Sequence, residues 1–281
     1  HICNTSFYQG KFPNDMKVSK VIPIYKKGDS SLFSNYRPIS VLPAFSKILE
    51  KLVYNRMMKF LNKNNILNEN QFGFREHRST EMAILKFANM FYDASENNDT
   101  MFGIFLDFSH AFDSLSHEIL LKKMYNYGFR SKAYDWINDY LSNRKQCVQY
   151  NNSHSNLGDI LSGVPQGSIL GPLLFLLYVN DIHDVSDILS CIQYADDTTF
   201  IAKGKDLPLL FGTINIELDK ISDWISSNKL ALNITKSSYM IMTHNYRQIV
   251  SSDYAINLNS HIIDRVNHTN FLGVTIDEHL S

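Results

Sequence analysis

The chain has 281 residues, 44% of them hydrophobic, with 27 Lys and Arg against 28 Asp and Glu. A chain of this length buries about three quarters of the surface its unfolded form exposes, which excludes disorder and predicts one large domain or two subdomains. The longest apolar run, residues 169–179, contains Pro172 and is too short to cross a bilayer. Cys3, Cys147 and Cys191 lie far apart with no CxxC spacing, which argues against a zinc site and a disulfide scaffold. No secretory or Arg-rich leader pattern opens the sequence, so an intracellular chain is expected.

The near-zero net charge hides an asymmetry. Residues 1–80 carry 13 Lys and Arg against 5 Asp and Glu, and residues 81–281 carry 14 against 23. The basic part suits a polyanion, and carboxylates in the acidic part suit divalent cations, although an unevenly charged solvated surface would look the same.

Strand and helix signals alternate along the chain, which predicts a mixed α/β fold. A basic segment over residues 17–29 holds the apolar run 18–25 and ends at a Gly28-Asp29 turn signal. Apolar residues from Phe45 through Leu61 keep helical spacing until Asn62-Lys63-Asn64-Asn65 breaks it. Thr80 reads as the N-cap of a second helix with Glu81 in its first turn, and Ser116 and Gly128 bracket another. Residues 207–230 predict a longer helix with Pro208 as its start signal. The tail reads as short strands at 239–242, 255–258, 261–266 and 271–276.

Two acidic placements break their surroundings. In Ile104-Phe105-Leu106-Asp107-Phe108 a carboxylate interrupts an apolar strand, with Asp113 following Ala111-Phe112. In Gln193-Tyr194-Ala195-Asp196-Asp197-Thr198 adjacent aspartates separate two apolar runs, as at the tip of a β-hairpin. An uncompensated carboxylate near a core costs several kcal/mol, and a like charge beside it raises the cost. A divalent cation relieves both, and two such ions roughly 4 Å apart serve in-line phosphoryl displacement. An Asp pair by itself is more often a turn that satisfies its own backbone amides. It is the combination with Asp107 that makes the metal reading competitive.

Other chemistries fit less well. Ser109 stands where a HAD-type phosphatase needs Asp, and Asp197-Thr198-Thr199 lacks the glycine of an aspartic protease. Walker A, GxSxG and HExxH patterns do not occur, and the ten histidines form no HxxxH pair. In Gly163-Val164-Pro165-Gln166-Gly167-Ser168, closely spaced glycines would let backbone approach a ligand, with Gln166 able to donate and accept hydrogen bonds. A tight strand-to-helix connection explains the glycines equally well, and the apolar stretch after them predicts a buried helix.

These segments, in this order, resemble the reverse transcriptase domain of non-LTR, LINE-like retrotransposons of the jockey type. The resemblance is carried by Val21-Ile22-Pro23-Ile24-Tyr25-Lys26-Lys27-Gly28-Asp29, Asn35-Tyr36-Arg37-Pro38-Ile39-Ser40 and Gln71-Phe72-Gly73-Phe74-Arg75. It continues through Phe105-Leu106-Asp107-Phe108-Ser109, Ala111-Phe112-Asp113, the Gly163–Ser168 run, Tyr194-Ala195-Asp196-Asp197, Asn233 with Thr235-Lys236-Ser237, and Phe271-Leu272-Gly273-Val274. His110 replaces the family's frequent Lys and Ser116 its Asp or Asn, which removes no metal ligand.

The resemblance implies an α+β right-hand polymerase over residues 1–281. Residues to about 100 would be mainly fingers, and the rest mainly palm with fingers elements inserted. The palm would be an antiparallel sheet carrying the acids, the primer grip would lie near Phe271–Val274, and the thumb would be missing or incomplete. It implies two Mg²⁺ ions, with Mn²⁺ a possible substitute, on Asp107, Asp196 and Asp197, and Lys236 as the proton donor to pyrophosphate. Arg75, with Lys26, Lys27 and Arg37 as competing candidates, would grip the triphosphate. Phe112 would be the steric gate against a ribose 2′-OH, and Gln166 and Gly167 would line the nucleotide and template pocket. Asp113 would be structural. The implied partners are an RNA template, a DNA primer and dNTPs, without a membrane, in the cytoplasm and nucleus of a host cell. The alternative reading is a catalytically inactive, RNA-binding remnant of such an element.

Overall fold

The computed structural model describes residues 1–243 and 254–280. The chain divides into two compact units, His1–Leu67 with Phe112–Tyr178, and Asn68–Ala111 with Val179–Ser281. Each unit is therefore assembled from two separated stretches of chain, a division that no linker signal marks. Elements are numbered along the whole chain.

The first unit contains α1 (Ile2–Gln9), β1 (Val18–Tyr25), β2 (Tyr36–Val41), α2 (Ala44–Lys63), α4 (His117–Asn126), α5 (Ser131–Leu141), β5 (Lys145–Tyr150), β6 (Ser153–His154), β7 (Gly158–Asp159) and α6 (Leu170–Val179). Its sheet runs β2-β1-β5-β6, with β7 also on β5; β1 and β2 are antiparallel, and β1 and β5 parallel. Helix α6 is apolar on every side and buried throughout most of its length, as the long apolar run requires. Its N-terminus is held by Glu50 of α2, whose side chain has no exposed surface. Glu50 Oε2 accepts the Ile169 and Leu170 N–H groups at 2.7 and 3.3 Å, and Oε1 accepts the Ser46 hydroxyl at 2.8 Å. A carboxylate suits the first turn of a helix because free N–H groups and the helix dipole converge there. Glu50→Ala leaves those donors buried without partners and is expected to cost about 3 kcal/mol. Urea unfolding checks this, and a loss under about 1 kcal/mol would show that the contact contributes little.

The second unit contains α3 (Thr80–Glu96), β3 (Thr100–Leu106), β4 (Phe108–Ser109), β8 (Ser190–Tyr194), β9 (Asp197–Gly204), α7 (Leu207–Ser227), β10 (Ala231–Leu232), β11 (Ser238–Met242), β12 (Asn257–Leu258), β13 (His261–Ile262), β14 (Asp264–Arg265), β15 (His268–Phe271) and β16 (Val274–Asp277). Its main sheet has the order β14-β11-β3-β9-β8. All pairings in it are antiparallel except that of β14 with β11, so the expected antiparallel sheet carries one parallel edge. Phe87 and Phe91 of α3 share a core with Met101, Ile201 and Met240, and Phe211 of α7 meets Phe102 edge-on at 5.0 Å. Neighbouring residues of β3 thus pack against different helices, which is why the strand reads as a continuous apolar run.

Several local readings shift, the strand expected at 261–266 dividing into β13 on β12 and β14 on β11, and that at 255–258 shortening to 257–258. Ser79, not Thr80, caps α3, accepting the Met82 N–H. Helix α7 stops at Ser227, three residues short of Leu230, where Asn228 caps it. Residues 271–276 are not one strand but the turn of the β15–β16 hairpin, with Leu272 and Gly273 both at positive φ, the signature of a type I′ turn. Among the described residues no helix is long and apolar enough to cross a membrane.

Candidate active site

Asp196 and Asp197 occur where β8 turns into β9. Tyr194 pairs with Asp197, leaving Ala195 and Asp196 as a two-residue loop. Ala195 has φ +58° and Asp196 does not have positive φ, the pattern of a type II′ hairpin turn with alanine where glycine is usual. On the other side of β9, Leu106 pairs with Thr198. The ladder ends at that pair, one residue before Asp107, while β9 begins at Asp197.

At Asp107 the chain leaves the β3 ladder. Its N–H donates to Ser237 Oγ at 3.2 Å and its carbonyl accepts the Asn233 N–H at 2.8 Å. Ser237 is buried and donates its hydroxyl to the Asn233 carbonyl at 3.0 Å, so residues 233–237 form a rigid bracket for the Asp107 backbone. Lys236 Nζ lies 3.8 Å from Asp107 Oδ2. The Asp107 side chain is 40% exposed. The expectation of a carboxylate buried in a strand is corrected accordingly, because Asp107 stands at the strand's open end. Asp196 is half-buried and Asp197 exposed.

Among the described residues no three His, Cys, Asp or Glu side chains form a ready-made metal cage. Mg²⁺ does not require one, since it binds through one or two carboxylates and leaves the remaining positions to water and substrate phosphates. Asp107 and Asp197 are solvent-accessible carboxylates at adjoining strand ends, hard oxygen donors of that kind, so the chemistry of the residues present suits a divalent cation. Beside Asp197 a cavity of about 430 Å³ extends past Tyr194 and Phe105 to Asn270 and the Leu272-Gly273 turn.

Arg75 belongs to the same unit, but its guanidinium is turned to its own loop. Nη1 donates to the Asn68 carbonyl at 2.5 Å and the Gln71 carbonyl at 3.4 Å. Burial, with Arg78 nearby, lowers its pKa.

The remaining candidates lie in the first unit. Phe112 is half-buried and stacks on Phe175 at 4.6 Å. Gln166 Nε2 donates to both Asp113 carboxylate oxygens at 2.9 and 2.8 Å, and the Gln166 carbonyl accepts the Ser40 N–H at 2.7 Å. Gly163 and Gly167 have φ +78° and +119°, and a Cβ on them would lie 2.6 Å from the Asp113 carbonyl and 2.7 Å from the Ser40 carbonyl. The glycine-rich loop is therefore wedged between β2 and the 112–115 segment, and lines a cavity of about 370 Å³ with Asp113, Gln146 and Pro38. Lys26 and Arg37 are exposed at and near the turn of the β1–β2 hairpin. The structure thus places Asp107, Asp196, Asp197 and Lys236 in one unit, with Lys236 against Asp107, and Phe112, Gln166 and Gly167 around the 112–115 segment of the other.

The sequence reading missed the buried amides Gln71 and Gln193. The available signal was a polar residue opening the Gln71–Arg75 motif, and another inside the apolar β8.

The second unit thus carries an aspartate-bearing hairpin on a mixed sheet, with a third aspartate at the end of the next strand. The sequence profile of the family described as reverse transcriptase (RNA-dependent DNA polymerase) matches residues 24–276, and the chain belongs to that family. It is 29% identical to the RNA-directed DNA polymerase from mobile element jockey of Drosophila melanogaster, over all of this chain and 31% of that protein. It is 28% identical to the probable RNA-directed DNA polymerase from transposon BS of the same organism, over 96% of this chain and 30% of that one. The chain spans about a third of the length of these relatives. Among solved structures, apo telomerase from Candida tropicalis aligns over 99% of this chain and 51% of its own, with TM-score 0.64 at 13% identity. Telomerase from Candida albicans aligns over 99% of this chain and 48% of its own, with TM-score 0.60 at 13% identity. The fold is that of the right-hand polymerases.

Proposed function

We propose that the chain carries the catalytic centre of an RNA-directed DNA polymerase that extends a DNA primer on an RNA template during retrotransposition. The observation behind this is that β3, which ends one residue before Asp107, pairs with β9, which begins at Asp197 directly after the Asp196 turn. Asp107, Asp196 and Asp197 would hold two Mg²⁺ ions, or Mn²⁺ in their place, a pair that would supply activation of the primer 3′-OH and charge neutralisation at the leaving oxygen of a dNTP. The Asn233–Ser237 bracket keeps Asp107 from following the strand, so its carboxylate needs little reorganisation as the reaction proceeds. Lys236, 3.8 Å from Asp107, donates the proton that leaves with pyrophosphate. Lys26 and Arg37 supply positive charge for the triphosphate, Arg75 joins them once its guanidinium leaves the Asn68 and Gln71 carbonyls, Phe112 excludes the ribose 2′-OH, and Gln166 and Gly167 line the nucleotide and template pocket. The β15–β16 turn supports the primer end. The reaction would take place in the cytoplasm and nucleus of the host cell.

Primer extension on poly(rA)/oligo(dT) with Mg²⁺ tests this reading. Stepwise addition of dTMP that stops on chelation is the expected result. Salt-dependent RNA binding without extension would replace it with the RNA-binding remnant.

A further inference from the structure

The Gln71-Phe72-Gly73 segment has no part in the chemistry above, yet it is built against the aspartate turn. Phe72 N–H donates to the Gln193 carbonyl at 2.8 Å and Gln193 N–H to the Asn70 carbonyl at 2.9 Å, a short parallel bridge on the outer edge of β8. The Gln71 side chain, 3% exposed, then reaches the loop residue itself. Its Oε1 accepts the Gly73 and Ala195 N–H groups at 2.8 and 2.9 Å, and its Nε2 donates to the Ala195 carbonyl at 3.4 Å. One amide thus holds both peptide groups of Ala195, the residue at φ +58°, a conformation that costs an L-residue about 1 kcal/mol. The carbonyl it holds belongs to the peptide that leads into Asp196.

Gly73 makes this approach possible. A Cβ there would lie 2.1 Å from the Ala195 nitrogen, a backbone atom that cannot move aside without moving the turn. From beneath, Gln193 extends the network: its Oε1 is 2.7 Å from His183 Nε2, and its Nε2 donates to Thr198 Oγ1 at 3.1 Å. Buried amides hydrogen-bonded in this way favour one conformation, and a lost partner is costly.

We propose that Gln71 is a positioning residue for the aspartate turn, with Gly73 as the contact that admits it, setting the direction in which Asp196 and Asp197 leave the sheet. This rests on the polymerase reading and adds to it residues that touch neither nucleotide nor metal. A misplacement of about 1 Å at a reacting group costs about 10²-fold in rate. Gln71→Met keeps the side chain's length and removes its hydrogen bonds, whereas Gly73→Ala pushes on the same contact from the other side.

The test measures single-nucleotide incorporation and native-state amide exchange on the 281-residue chain and both variants. Expected is a kcat drop of about 30- to 100-fold with the dNTP KM within about threefold, and faster exchange at Ala195. Exchange at Phe102 and Ile104 of β3 should be unchanged, showing an intact fold. Should Gly73→Ala not fold, Gln71→Met and the shorter amide of Gln71→Asn decide the matter. A folded Gln71→Met with kcat near wild type, or with unchanged exchange at Ala195, overturns the proposal. If the wild-type chain does not extend primers, the polymerase reading fails by itself, and exchange at Ala195 still decides whether Gln71 holds the turn.

Discussion

Asp196→Asn is expected to lower dNTP incorporation by at least about 10³-fold without lowering stability. The loss follows from charge. Asn has the same shape but cannot carry the anionic oxygen that a divalent cation needs. The preserved fold follows from how the turn is held. Backbone contacts that the substitution leaves in place hold it: both peptide groups of Ala195 on Gln71, and the Asp196 carbonyl within 3.5 Å of Thr198 Oγ1. Asn is also at ease in turns, and removing one of two adjacent negative charges relieves repulsion when no cation is bound. A thermal melt beside the extension assay checks both halves. Incorporation within tenfold of wild type would remove Asp196 from the metal-binding set.

Phe112→Val is expected to raise incorporation of ribonucleotides relative to deoxynucleotides by about 10²-fold, with dNTP incorporation reduced less than tenfold. The physical basis is the rigidity of the ring. Phe112 stacks at 4.6 Å, with 28° between planes, on Phe175, which is fully buried in α6 and has no room to retreat. A ring backed in this way resists displacement by a 2′-hydroxyl, whereas valine leaves space beside Phe175. Truncation of a half-buried aromatic also costs about 1–2 kcal/mol, so selectivity is best taken as the rNTP/dNTP ratio at a temperature where both proteins are folded. An unchanged ratio would show that Phe112 is a packing residue and that the gate lies elsewhere.

The parts of the fold legible from sequence were those set by local pattern. The apolar run 18–25 is β1, the spacing from Phe45 is α2, and the Asp196-Asp197 pair between apolar runs is the tip of a hairpin. Errors arose where a local signal was masked. Leu272-Gly273 is a turn inside an apolar stretch, so the hairpin read as one strand. Ser79 and Thr80 are both good caps, and only the geometry selects Ser79. Asp107 read as buried because its neighbours are apolar, but the strand ends at Leu106 and the chain turns to Asn233 and Ser237. What pattern could not show depends on partners more than a hundred residues away. Glu50 finds the start of α6, and Gln71 finds Ala195. Each looks like an ordinary polar residue until the fold supplies its donors.

The central claim is that the aspartates gathered by β3, β8 and β9 form a nucleotidyl-transfer centre. The most direct test is single-turnover extension of a labelled DNA primer on an RNA template, with wild type and Asp107→Asn side by side and primer–template binding measured in the same samples. Extension by wild type alone, with equal binding by both, is the predicted result. Extension by Asp107→Asn at a rate near wild type would contradict it, because the carboxylate at the open end of β3 would then have no part in the reaction.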